Sequence, residues 1–71
     1  MTRYLILIEP TETGFSAYLP DVPGCVSTGR TVEEVEANMR EAVAGHIAEL
    51  RDAGAPIPQP STSAGYVEVA A

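Results

Sequence analysis

The stretch Gly14–Glu34, GFSAYLPDVPGCVSTGRTVEE, constrains this chain more than any other. Phe15, Ala17 and Leu19 alternate with Ser16 and Tyr18, the period of a half-buried strand. Pro20 has no N–H for a ladder and ends that strand. Pro23-Gly24 suits the centre of a type II turn, where the third position requires a positive φ. Cys25 to Thr28 then form a short third strand, stopped by Gly29. Thr31-Val32-Glu33-Glu34 is a capping box: the Thr31 hydroxyl accepts from the Glu34 amide, and the Glu34 carboxylate reaches back to the Thr31 amide. Strand, tight turn, strand and helix start thus follow one another within 21 residues.

The flanks complete the pattern. Residues 3–9 (RYLILIE) read as a first strand, with Tyr4, Ile6 and Ile8 on one face and Leu5, Leu7 and Glu9 on the other. Pro10 to Gly14 make a turn back to Phe15. From Thr31 the helix runs to about Ala53. Val32, Val35, Met39, Ala42, Val43, His46 and Leu50 fall on one stripe, the face of a helix lying on a sheet. Glu33, Glu34 and Glu36 sit near its positive end. Gly54 is the helix stop, with Pro56 just beyond. Residues 54–65 form a Pro-rich connector, stiff through Pro56, Pro58 and Pro60. Tyr66 to Ala70 alternate and read as a last strand. The expected fold is α+β, in the order β-β-β-α-β. It is an antiparallel sheet of three to four strands with one helix on one face, in a single domain over residues 1–71.

Such a unit has little to bury. Of its apolar residues, 45% of the chain, 10 are Ala and there is no Trp. A core this small rarely yields more than about 3–5 kcal/mol without a metal, disulfides or oligomerisation. Cys25 is the only cysteine, so no internal disulfide forms, and one Cys with one His cannot close a tetrahedral metal site. No cofactor is expected. Oligomerisation remains, and the first strand supports it: both its faces are apolar, and one helix covers only one of them. A homo-oligomer is therefore expected.

Charge narrows the partners. Ten Asp and Glu face four Arg and no Lys, for a net charge of −6. Nucleic-acid binders carry clustered cations, so direct DNA or RNA binding by this chain is not expected. An acidic surface draws a basic protein instead. Leu5 to Ile8 are too few to span a bilayer or form a signal core. A lone thiol fits the reducing cytoplasm.

Catalytic readings find weak support. His46 lies in the apolar stripe of the helix and has no second catalytic group linked to it. Cys25, at the start of a strand after a turn, reads as a small packing residue. Glu34 is engaged by capping, and the other helical acids suit the dipole. Gly29-Arg30-Thr31 precedes a helix, but the acids that follow disfavour phosphate. Glu9 and Asp21 are the carboxylates that a magnesium-dependent nuclease would use. Glu9, Glu12 and Asp21 are also the acids expected, from charge and exposure, in a contact patch for a partner.

The residues from Gly14 to Asn38 resemble the HicB family of small antitoxin-like proteins. The resemblance rests on Gly14, Phe15 and Ala17; on Pro20, Asp21, Val22, Pro23, Gly24 and Cys25; and on Thr31, Glu33, Glu34 and Asn38. The Tyr4–Glu9 strand and the segment from Gly54 to Pro60 also match, so it covers about residues 3 to 60. It implies a partial ribonuclease-H-like fold, usually without the catalytic carboxylates. It also implies an antitoxin that binds and occludes a small basic mRNA-cleaving toxin of HicA type. Many members carry a C-terminal DNA-binding domain, and the present sequence reads as a short stand-alone form. The leading expectation is a non-enzymatic binding module. The alternatives are a metal-dependent nuclease and a self-assembling structural subunit.

Overall fold

The Thr11 N–H donates to the Gly14 carbonyl at 2.8 Å, which closes a hairpin with Glu12 and Thr13 at its tip. Its arms are β1 (Leu7–Pro10) and β2 (Phe15–Tyr18), antiparallel, with Leu7 opposite Tyr18 and Glu9 opposite Ser16. The fold is that of a computed structural model describing residues 1–71. Pro10 sits on the outer flank of the sheet, where a missing N–H costs nothing.

After β2 the chain reverses through two overlapping turns. The Val22 N–H donates to Leu19 O, and Cys25 N–H donates to Val22 O, both at 3.3 Å. Pro20 and Pro23 occupy the second positions of these turns, where their fixed φ is preorganised. Gly24 takes φ +83°, the left-handed conformation that the type II turn requires. β3 (Val26–Gly29) then pairs antiparallel with β2, giving a sheet of order β1-β2-β3.

The helix α1 (Val32–Asp52) follows at once. Thr31 is its N-cap, and the Thr31 hydroxyl accepts from the Glu34 N–H at 3.0 Å. The other half of the capping box differs from expectation. The Glu34 carboxylate accepts from the Arg30 N–H at 3.2 Å, one residue upstream of the Thr31 amide. At the far end, Gly54 N–H donates to Arg51 O at 3.1 Å and Ala55 N–H to Leu50 O at 2.9 Å. With Gly54 at φ +69°, this is a Schellman stop, as its position after the apolar stripe implies.

The helix lies over β3 and β2. Ala17, Leu19, Val22, Cys25, Val35 and Met39 are buried, and Tyr4, Ile6, Ile8, Phe15, Ala42 and Val43 pack around them. Glycine permits close contact both at the helix and between β2 and the end of β3. A methyl group on Gly29 would meet the Val35 nitrogen at 2.6 Å, and one on Gly14 would strike the Gly29 carbonyl. Only 6 of 71 residues are buried, the thin core that the composition implies. His46 and Leu50 are half-buried, because the helix outruns its short strands.

Two expectations need correction. The first strand begins at Leu7, not Arg3. Continuing the observed register puts Pro20 opposite Leu5, and proline cannot supply the ladder donor. Nor do Tyr66 to Ala70 form a strand; residues 61–71 carry no regular secondary structure and are exposed. The observed order is therefore β-β-β-α, and the Pro-rich connector leads to a tail. That tail accounts for a radius of gyration of 14.0 Å and a long axis of 49 Å, against about 11 Å for the radius of a compact chain this size.

Candidate functional site

The acids singled out in the sequence occupy two separate places. Glu9 lies on the sheet face away from the helix, level with Ser16 and Thr28 across the strands. Glu12 is at the hairpin tip, and both Glu9 and Glu12 are exposed. Asp21 follows β2, at the opposite end of the sheet. Glu9 and Asp21 therefore do not converge, and nowhere do three or more His, Cys, Asp or Glu side chains gather as metal ligands.

Asp21 holds the tail. Its carboxylate accepts from the Ser61 N–H at 3.0 Å and the Ser61 hydroxyl at 3.1 Å. It also accepts from the Thr62 N–H at 3.0 Å and the Thr62 hydroxyl at 2.7 Å. These donors, the Thr62 hydroxyl first, draw the Asp21 carboxyl from an ordinary 3.8 down to about 2. A second tie lies nearby: the Tyr4 phenol donates to the Pro58 carbonyl at 2.6 Å. Nothing local in the sequence announces either contact, since the partners lie 40 and 54 residues apart.

The remaining motif residues serve the scaffold. Gly14, Pro20, Pro23 and Gly24 shape the hairpin and the turns described above, and Thr31 and Glu34 cap the helix. Cys25 is buried with its Sγ 4.0 Å from the Met39 Sδ, and burial pushes its thiol pKa up. That is the opposite of what a nucleophile needs. Asn38, exposed on α1, donates its amide to the Thr28 carbonyl at 2.8 Å.

Two surfaces stay open. On the face away from the helix, Leu7, Tyr18 and Val26 form a row across all three strands, with Val26 68% exposed. On the helix side, beside β1, a groove of about 510 Å³ is floored by Tyr4, Ile6, Leu19, Met39 and Val43, with Arg3, Glu36 and Arg40 also lining it. The exposed helical acids Glu33, Glu36, Glu41 and Glu49 complete an anionic exterior. Exposed apolar and acidic side chains thus share the surface, and the acids do not gather as metal ligands.

Comparison with known proteins places the chain in a family. The family model described as "HicB_like antitoxin of bacterial toxin-antitoxin system" matches residues 4–70. An uncharacterised 14.9 kDa protein from the rep-hol intergenic region of Haemophilus phage HP1 is 34% identical over 64 residues, 90% of this chain and 48% of that protein. A UPF0150 protein of Helicobacter pylori is 39% identical over 62% of this chain and 61% of its own length. One of Thermoplasma acidophilum is 31% identical over 80% of this chain and 84% of its own. The chain thus spans about half of the phage protein. Among solved structures, the HicA3 and HicB3 toxin–antitoxin complex matches with a TM-score of 0.72 and 40% identity, over 84% of this chain and 70% of that one. The crystal structure of antitoxin HicB3 matches with a TM-score of 0.71 and 40% identity, over 84% of this chain and 44% of that one.

Proposed function

The chain belongs to the HicB-like antitoxin family of bacterial toxin–antitoxin systems, and from that premise we propose that it binds and neutralises a small basic mRNA-cleaving toxin of HicA type. The observation that carries this reading is the 40% identity, over 84% of the chain, to the solved complex of HicA3 with HicB3. Charge supports it independently. A surface with a net −6 and no Lys attracts a cationic protein that itself binds RNA.

In this reading the chain acts in the cytoplasm, by occlusion and not by catalysis. No helix is long and apolar enough to cross a membrane. The pair that a metal-dependent nuclease would need, Glu9 and Asp21, lies at opposite ends of the sheet. Glu9 and Glu12, exposed at the hairpin end, are the acids offered to the toxin. Asp21 contributes indirectly, by fixing the tail.

The test is to mix the purified chain with a HicA-type toxin at low salt. The expected result is a complex at micromolar concentration and suppression of mRNA cleavage, while the chain with magnesium alone leaves RNA intact. Unabated cleavage with no complex would reject the reading.

A further inference from the structure

The chain returns from the end of α1 to the sheet as a strap, and two contacts hold it. One is the Tyr4 phenol on the Pro58 carbonyl at 2.6 Å. The other is Asp21, whose carboxylate takes the N–H and the hydroxyl of both Ser61 and Thr62. No residue from Gly54 to Gly65 is charged, and Asp21 is the one charge between Leu19 and Cys25. The clasp is thus a single anion ringed by donors, two of them hydroxyls, with no cation on either segment.

Those hydroxyls belong to exposed residues in a stretch without regular secondary structure. Pro58 and Pro60 keep the approach to them extended. No hydrogen bond holds any residue beyond Thr62. Opening from the tail end therefore unseats Thr62 first and offers its hydroxyl to another enzyme on an extended, uncovered backbone.

We infer that Thr62 is a phosphoacceptor, and that its phosphorylation by an ATP-dependent protein kinase opens the Asp21 clasp and frees the strap. In that transfer a P–O bond forms between Thr62 Oγ1 and the γ-phosphorus of ATP. The bridging bond to the β-phosphate breaks, ADP leaves, and the hydroxyl proton passes to the kinase.

Charge gives the direction of the effect. A phosphothreonine carries about −1.5 to −2 at neutral pH. The Thr62 hydroxyl lies 2.7 Å from the Asp21 carboxylate, the shortest contact of the clasp, so phosphorylation replaces a donor with an anion at that place. Asp21 cannot relieve the clash by taking up a proton at neutral pH, because its carboxyl titrates at about 2 in the clasp and ordinarily at 3.8. Two anions this close repel. With the clasp open, the Tyr4 phenol alone keeps the strap against the N-terminal segment. This inference concerns the chain by itself and does not rest on a toxin.

Two measurements test it. The 71-residue chain is short enough for chemical synthesis with Thr62 phosphorylated. Hydrogen-exchange protection of the Ser61 and Thr62 amides is expected to fall about tenfold against the unmodified chain, with helical circular dichroism unchanged. In an Asp21→Asn chain, where no second anion is present, the same phosphate is expected to have a much smaller effect. Tandem mass spectrometry of the protein isolated from its own cells, growing and starved, with phosphatases blocked, is expected to place a phosphoryl group on Thr62. Amides that keep their protection in the phosphorylated chain, an equal loss in the Asp21→Asn chain, or no phosphate on Thr62 in either state of the cells would each overturn the proposal.

Discussion

The carboxylate of Asp21 takes both the N–H and the hydroxyl of Thr62, at 3.0 and 2.7 Å, across 41 residues of sequence. A turn whose sequence looks designed only to reverse the chain therefore also anchors its C-terminal tail.

This contact makes the tail pH-sensitive. The folded pKa of Asp21 is lowered to about 2 from 3.8, so the contact is complete above 3.8 and is lost as pH falls through about 2. In an acid titration followed by NMR, the Ser61 and Thr62 amides should move to random-coil positions with a midpoint of about 2. Asp21→Asn should speed exchange of those two amides at neutral pH and leave the helix amides unchanged.

The core tolerates little loss. Met39 is 1% exposed and touches Cys25 across the helix–sheet interface. Met39→Ala should cost about 2–5 kcal/mol. A domain stabilised by about 3–5 kcal/mol would then be largely unfolded. The urea midpoint measured by circular dichroism checks this.

Two glycine substitutions should act in opposite directions. Gly29→Ala puts a methyl 2.6 Å from the Val35 nitrogen and forces the helix off the sheet. Gly45 lies within α1, exposed, with nothing within 4 Å of an added methyl. Gly45→Ala should stabilise the protein by about 0.5–1 kcal/mol. Thermal melts of the two variants should therefore bracket the wild type.

The helix cap should be separable from packing. Thr31→Ala removes the acceptor of the Glu34 N–H and should cost about 1 kcal/mol, while Thr31→Ser should keep most of it. Urea denaturation of both variants measures the difference.

If the hairpin acids meet a basic toxin, Glu9→Gln with Glu12→Gln should slow association several-fold at low salt, and the gap should close at high salt. Stopped-flow mixing across a salt series reads this directly. Asp21→Asn should change that rate less, because Asp21 lies at the opposite end of the sheet from Glu9 and Glu12.

The local rules of the chain were legible, and its long-range contacts were not. Thr31, Gly24 and Gly54 each sit where a cap, a type II turn and a helix stop demand those residue types. The helix stripe through Val35, Met39 and Val43 fell on the buried side. Alternation separated Ile6 and Ile8 from Leu5 and Leu7 correctly. What alternation cannot supply is a partner. Tyr66–Ala70 has strand periodicity yet no ladder, and Pro20 denies one to Leu5. The Glu34 carboxylate takes the Arg30 N–H and not that of Thr31, a choice the capping pattern leaves open. Nor did any short-range pattern link Asp21 to Ser61 and Thr62, so its hold on the tail was not legible.

The amide of Asn38 on the Thr28 carbonyl has a consequence for how such molecules stack. A sheet bare along both flanks is a template in two directions, and copies of it string together into fibres. With one carbonyl of the β3 flank held by its own helix, that flank is a poorer template than the β1 flank. Any growth by strand pairing is thereby steered to the β1 side and away from an endless thread.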